Sequence, residues 1–281
     1  MACDTAFRIV ARRCLKELTA NHAATCEGDA DALHHMRIAI TRLRTAIAFF
    51  SPMVAGPQGA RIRDELKWLN AHLGVVRDLD VAIERLRKID KQRHQADYRS
   101  WDRERTTNQR HLARVLRSAR YQRLVKSIST WVEKGAWSTK SGKRAAQQRA
   151  CPIAEYSTRK LERWREKLIK KSRKLLDFGT KKRHRLRLLN KKLNYAIASI
   201  ADLISNDGIS RQQATLKYLR KSQKSLGQLN DDARGQSLAP TVGRGGVGAS
   251  EPFLSPEREK RLLRSAAKAY KKLAELKPLR I

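Results

Sequence analysis

Two stretches of this 281-residue sequence carry the same arrangement of groups that hold anions. His34-His35-Met36-Arg37-Ile38-Ala39-Ile40-Thr41-Arg42-Leu43-Arg44 lines up with His184-Arg185-Leu186-Arg187-Leu188-Leu189-Asn190-Lys191-Lys192-Leu193-Asn194. Both read H-x-x-R followed by a basic cluster. Arginine offers forked donors, lysine a mobile point charge and histidine a further donor, a set suited to phosphate oxygens. At helical pitch His34, Arg37, Thr41 and Arg44 fall within an arc of roughly 80°. His184, Arg187 and Lys191 take the same arc in the second copy, and Asn194 replaces the fourth member. A merely solvated face has no reason to keep this phase twice; a phosphate-lined groove does.

The next segment repeats as well. LKWLNAHLGVVRDLD at 66–80 matches LRKSQKSLGQLNDDA at 219–233. Arg63, Lys67 and Asn70 share a face, and Arg220 and Gln223 stand at the matching positions, flanked by Lys217 and Lys224. If the halves pack by approximate two-fold symmetry, these four segments present their basic edges to one groove. The acids permit another chemistry. His34, His35 and His184 with Asp78, Asp80, Asp231 and Asp232 could assemble a metal-dependent phosphohydrolase site, centred on His34/His184 and Asp78/Asp231. The plainer reading is that Asp78 and Asp231, just after a glycine, orient basic side chains or cap helix ends. A strongly positive field repels a divalent cation, so no metal and no cofactor is expected, and no catalytic residue is assigned, though a phosphohydrolase stays open as an alternative.

The elements that must position these residues read as helices. Apolar residues at Leu33, Met36, Ile40, Leu43, Ile47 and Phe50 step by three or four until Ser51-Pro52. A first helix is expected over 4–24. Ile62, Leu66, Leu69 and Leu73 continue the pattern, with Gly74 where a helix should stop or bend. Residues 91–133 stay helix-like and very basic. The whole is expected to be one domain over 1–281: a first helical half at 1–133, a linker at 134–156, and a second half at 157–281. Helices are expected at about 157–177, 181–205, 210–230 and 257–276, with a flexible Gly/Pro loop at about 235–256.

Lys+Arg number 62 against 27 Asp+Glu, a formal charge of +35. Such self-repulsion is offset most simply by nucleic acid, an anionic membrane or a phosphate polymer. Four cysteines, Cys3, Cys14, Cys26 and Cys151, lack metal-site spacing and read as reduced thiols. The N-terminal residues are interrupted by Asp4, Arg8, Arg12 and Arg13, so a signal peptide is not expected, nor is a membrane span. A cytoplasmic protein follows. RNA backbone binding competes seriously, but aromatics are only 6 %, and Trp68, Trp131 and Tyr195 lie in apolar helix patterns. A membrane-surface role ranks third. Oligomeric state is not readable.

On the four repeated segments, covering about 30 to 230, the sequence resembles the conserved histidine α-helical domain, CHAD. The resemblance implies an all-α helical bundle of two pseudo-symmetric four-helix halves around a basic central cleft or pore. It also implies binding of inorganic polyphosphate without catalysis, with bacterial members at polyphosphate granules. The implied contacts are His34, Arg37, Arg42, Arg44 and Lys67, then His184, Arg187, Lys191, Lys192, Arg220 and Lys224; Arg63 and Lys217 join them from the helical phase. Thr41 and Asn194 stand where the family often has a basic residue. Many relatives carry a triphosphate-tunnel (CYTH) domain with an E-x-E-x-K strand; that motif is missing here, so a stand-alone member is expected.

Overall fold

A computed structural model describes residues 1–89, 95–203, 209–242 and 255–279. In order they form α1 (Cys3–Ala20), α2 (His22–Glu27), α3 (Ala30–Phe49), α4 (Ser51–Val54), α5 (Pro57–Ile89), α6 (Gln95–Arg117) and α7 (Ala119–Lys134). The short α8 (Ala136–Thr139) and α9 (Lys143–Ala150) follow. Then come α10 (Ile153–Ser172), a 3-10 turn (Leu175–Asp177), α11 (Thr180–Ala201), α12 (Ile209–Val242) and α13 (Pro256–Glu275). The chain is all-α; the described residues contain one isolated β-bridge, Ala2 with Pro152, and no strand.

Local chemistry sets several boundaries. Asp29 caps α3, its side chain accepting from the backbone N–H of Asp31 and Ala32 at 2.8 and 2.7 Å. Gly28, at φ +96°, turns the chain out of α2 into that cap. Ser118 and Ser255 cap α7 and α13 in the same way. Ser118 thus divides the basic stretch 91–133 into two helices; residues 90–94 lie outside the described part.

The packing follows chain order. α1 lies against α3, α3 against α5, and α5 against α6 and α7; α10 lies against α11, α11 against α12, and α12 against α13. Across the halves α3 packs on α11 and α5 on α12, so α3, α5, α12 and α11 close a ring. The apolar stripes expected from the sequence form the core: Met36, Ile40, Leu43, Leu66, Leu69 and Leu73 are fully buried, as are Leu193, Ile197 and Leu219. Phe7 anchors an aromatic group, edge-on to Phe50, Trp131 and Trp137. The N-terminus pairs with the start of α10 through Cys3 N–H to Cys151 C=O and Ile153 N–H to Met1 C=O, each 3.0 Å.

Three expectations need correction. α5 does not stop at Gly74 but runs unbroken from Pro57 to Ile89, because Leu73, Val76 and Leu79 keep the same buried stripe on either side. Residues 134–156 are not bare linker: α8 and α9 occupy most of them, and α10 begins at Ile153. The Gly/Pro loop expected at 235–256 is helical as far as Val242 and again from Pro256; residues 243–254 lie outside the described part. Tertiary contacts hold the helix through Gly235. Leu238 packs against a small cluster of Leu79, Ala82, Ile83 and Trp101, and Arg234 Nε donates to Asp78 Oδ2 at 2.9 Å.

Asp232 ties the far end of the ring together. Its side chain is 0 % exposed and meets Arg85 of α5, 16 % exposed, and Arg258 of α13. Removing one member of a buried charge group strands the others, so Asp232→Ala should lower stability by about 3–5 kcal/mol. Denaturant unfolding at neutral pH checks this.

Candidate polyanion-binding site

α3 and α11 run side by side in the same direction. At one end His34 and Arg37 approach Lys191 and Arg187; at the other Thr45, Ala46 and Phe49 meet Ala196, Ser199 and Ile200. The first end is polar because His34 and Arg37 of one copy and Arg187 and Lys191 of the other arrive there in phase; the second is apolar because the phase has rotated onto the core stripe.

Arg37 reaches across to α5. Its Nη1 donates to the Asn70 carbonyl of α5 at 3.4 Å, and a Cβ on Gly74 would lie 2.9 Å from the same nitrogen. The glycine therefore admits a guanidinium onto the helix backbone. Burial pulls the Arg37 pKa down, Asp78 opposes this, and Arg77 and Arg187 reinforce it. Lys191 is pushed down to about 8, chiefly by burial, then by Arg187 and Arg37, with Asp231 acting the other way. His34 is lowered by burial and by Arg77, His35, Lys191 and Arg37. Five positive or protonatable groups thus share a half-buried place between α3, α5 and α11.

The carboxylates nearby do not neutralise it. Asp78 accepts from Arg234 of α12, and Asp80 accepts from Arg105 Nε of α6 at 2.9 Å. Asp231 receives Asn230 Nδ2 at 3.3 Å. Among the described residues no group of three or more His, Cys, Asp or Glu side chains is placed to hold a metal ion. Two buried atoms at the second copy lack hydrogen-bond partners, Arg187 Nε and Gln223 Oε1. A Cβ on Gly227, the counterpart of Gly74, would meet nothing within 4 Å.

The remaining sequence-selected residues divide into two sets. Arg44, Arg63, Lys67, Lys217, Arg220 and Lys224 are exposed, and none has an ion-pair partner among the described residues. His184 is exposed and its Nδ1 lies 2.8 Å from Asn230 Oδ1. Arg42 and Lys192 turn to other partners. Arg42 binds Glu17 of α1 at 2.9 Å, and Lys192 sits over the Trp164 ring of α10 at 4.2 Å. Consecutive residues diverge by about 100° on a helix, so Lys191 and Lys192 serve different neighbours. Sequence reasoning passed over Arg77 as a site member and placed Tyr195 with the core. Tyr195 is partly buried, with Arg42 and Lys191 each 5.9 Å from its ring. The signal for Arg77 was its place one turn after Gly74, on the face of Arg63 and Lys67.

Fold and site together define an all-helical protein of two repeated halves whose meeting helices concentrate unpaired positive charge. The family model described as CHAD domain matches residues 9–239, and the chain belongs to the CHAD-domain family. Among solved structures it is similar to the CHAD domain from the plant Ricinus communis, at 24 % identity and TM-score 0.79 over 100 % of this chain and 94 % of that one. PptA from Streptomyces chartreusis is similar at 14 % identity and TM-score 0.61, over 98 % and 96 % of the two chains. No curated protein matches the sequence. No helix among the described residues is long and apolar enough to cross a membrane.

The two glycines separate site from scaffold. Replacing an interior helical glycine with alanine gains up to about 1 kcal/mol of helix stability. Gly227→Ala should show this gain, whereas Gly74→Ala should lose most or all of it by displacing Arg37; unfolding of the two variants side by side measures the difference.

Lys191 provides a second test. The unfolded chain keeps the Lys191 proton up to its ordinary 10.5, while the folded chain gives it up from about 8. Between those values the unfolded state binds more protons, so stability contributed by this group rises with pH across about 8 to 10.5 and its cost is fully present below 8. Lys191→Met should therefore be more stable than the parent at pH 7 and lose that part of the pH dependence, as unfolding midpoints across the window would show.

Proposed function

We propose that this protein is a non-catalytic binding module for inorganic polyphosphate, held at the ring formed by α3, α5, α11 and α12. The observation that carries this reading is the meeting of Arg37, Arg187, Lys191, His34 and Arg77 without a matching set of free carboxylates. A half-buried cluster of like charge is costly to hold, and a chain of closely spaced anions offsets that cost with many charge-assisted contacts. The exposed cations of α5 and α12, from Arg63 and Lys67 to Lys217, Arg220 and Lys224, extend the attraction outward from the ring. The membership in the CHAD family supports polyphosphate over other polyanions, and with it a cytoplasmic place on polyphosphate granules. Engagement of Asp78 by Arg234 argues against a metal-assisted phosphohydrolase at His34 and Asp78, since the carboxylate is already held.

RNA supplies the same phosphate charge with bases attached, and the ring offers a base little to stack on. Competition of long-chain polyphosphate against single-stranded RNA of equal charge count, at fixed salt, is the deciding measurement; polyphosphate should win. Each lost charge-assisted bond is worth about 1.5–3 kcal/mol, so Arg37→Glu with Arg187→Glu should weaken polyphosphate binding by about 100-fold or more. Equal affinity for RNA, or full binding by the double variant, overturns the reading.

A further inference from the structure

The two copies of the repeat treat one position differently. In the first half Arg42 is neutralised by Glu17 of α1. In the second half the same repeat position is Lys192, which faces α10. No carboxylate meets it there. It lies over Trp164 at 4.2 Å, and Trp164 is itself held edge-on by Phe49 at 5.6 Å. Lys160, Arg163 and Lys167 stand three or four residues apart around Trp164, hence on the same face of α10. None of the four cations has an ion-pair partner among the described residues.

We propose that the α10–α11 face formed by Lys160, Arg163, Lys167 and Lys192 is a second contact for the same polyanion, reached by chains that run from the central ring across α11. The proposal rests on the polyanion reading of the ring. Lys192 and Lys160 are partly buried, and burial together with the neighbouring cations lowers both pKa values; an anion laid on this face relieves that repulsion. Trp164 is capped by Lys192 on a face and by Phe49 at close range, so it serves as a floor for the ammonium rather than a platform for a base. Recognition here is by charge alone, which suits a phosphate chain. Lys191 and Lys192 are consecutive on α11, about 100° apart around a helix about 10 Å wide, so the two contacts lie on neighbouring flanks of one helix. A tripolyphosphate occupies one of them; a long chain spans both.

The test uses the full chain with two probes, tripolyphosphate and long-chain polyphosphate, and three double variants. Lys160→Gln with Lys167→Gln removes two charges from the α10 face. Lys126→Gln with Lys134→Gln removes two from α7, away from it. Arg37→Glu with Arg187→Glu breaks the ring. The α10 variant should lose about tenfold in affinity for long chains, keep its tripolyphosphate affinity, and show a salt dependence shallower by about two counterions. The α7 variant should show no such loss. An equal loss in the α7 variant, no loss in the α10 variant, or an equal loss for both probes overturns the second contact. Loss of tripolyphosphate binding in the ring variant shows that the central reading stands, so a null α10 result then removes the second contact alone; intact tripolyphosphate binding in the ring variant removes the central reading itself.

Discussion

Packing α3 against α11 forces His34 and Arg37 of one copy against Arg187 and Lys191 of the other in one half-buried place, and the resulting repulsion governs the rest of the molecule. Arg37 is held there by a backbone carbonyl of α5 and by the missing side chain of Gly74, not by a carboxylate partner of its own. Lys191 and His34 lose proton affinity in its company. Apolar burial elsewhere must sustain this arrangement. The continuous core through Met36, Leu43, Leu69, Ile197 and Leu219, with the Phe7–Trp131–Trp137 aromatic group, supplies it.

The few carboxylates are spent on joining elements rather than on quenching the centre. Asp78 fastens α5 to α12, Asp80 fastens α5 to α6, Asp232 gathers α5, α12 and α13, and Glu17 holds α3 to α1. With 27 acids against 62 bases, each acid bound in this way leaves more cations unpaired on the exposed faces of α5, α10 and α12. Structural ion pairs and the anion-seeking surface are thus two results of one allocation. The partly exposed pairs add little stability individually; in the Asp232 group burial of the carboxylate opposes its ionisation, and what is large is the cost of removing one member and stranding the others.

The halves share an order of packing and differ in chemistry. Arg77 approaches His34 where Asn230 hydrogen-bonds His184; Gly74 is filled by a guanidinium while Gly227 faces open space; Arg42 is paired where Lys192 is not. The first copy packs its cations inward, and the second leaves Arg187 Nε and Gln223 Oε1 without partners. Repetition of a helix pair therefore produced a site with one preassembled side and one side that still has bonds to give.

Helix periodicity, the duplicated H-x-x-R and the charge excess are local or additive properties, and the sequence determined them by itself: an all-α chain, two copies of a basic helix pair, and an anionic partner. His34, Arg37, His184, Arg187 and Lys191 were legible because residues three and four apart must share a helix face. Only the tertiary structure decided that Arg42 turns to Glu17 and Lys192 to Trp164, since the choice of neighbour for each flank of α3 and α11 depends on how α1 and α10 dock. The same holds for the unbroken helix at Gly74 and the helical turn through Gly235, where long-range packing outweighs a local preference of about 1 kcal/mol per glycine. Phase along a helix is written in the chain; which helix meets that phase is settled by the burial of the whole.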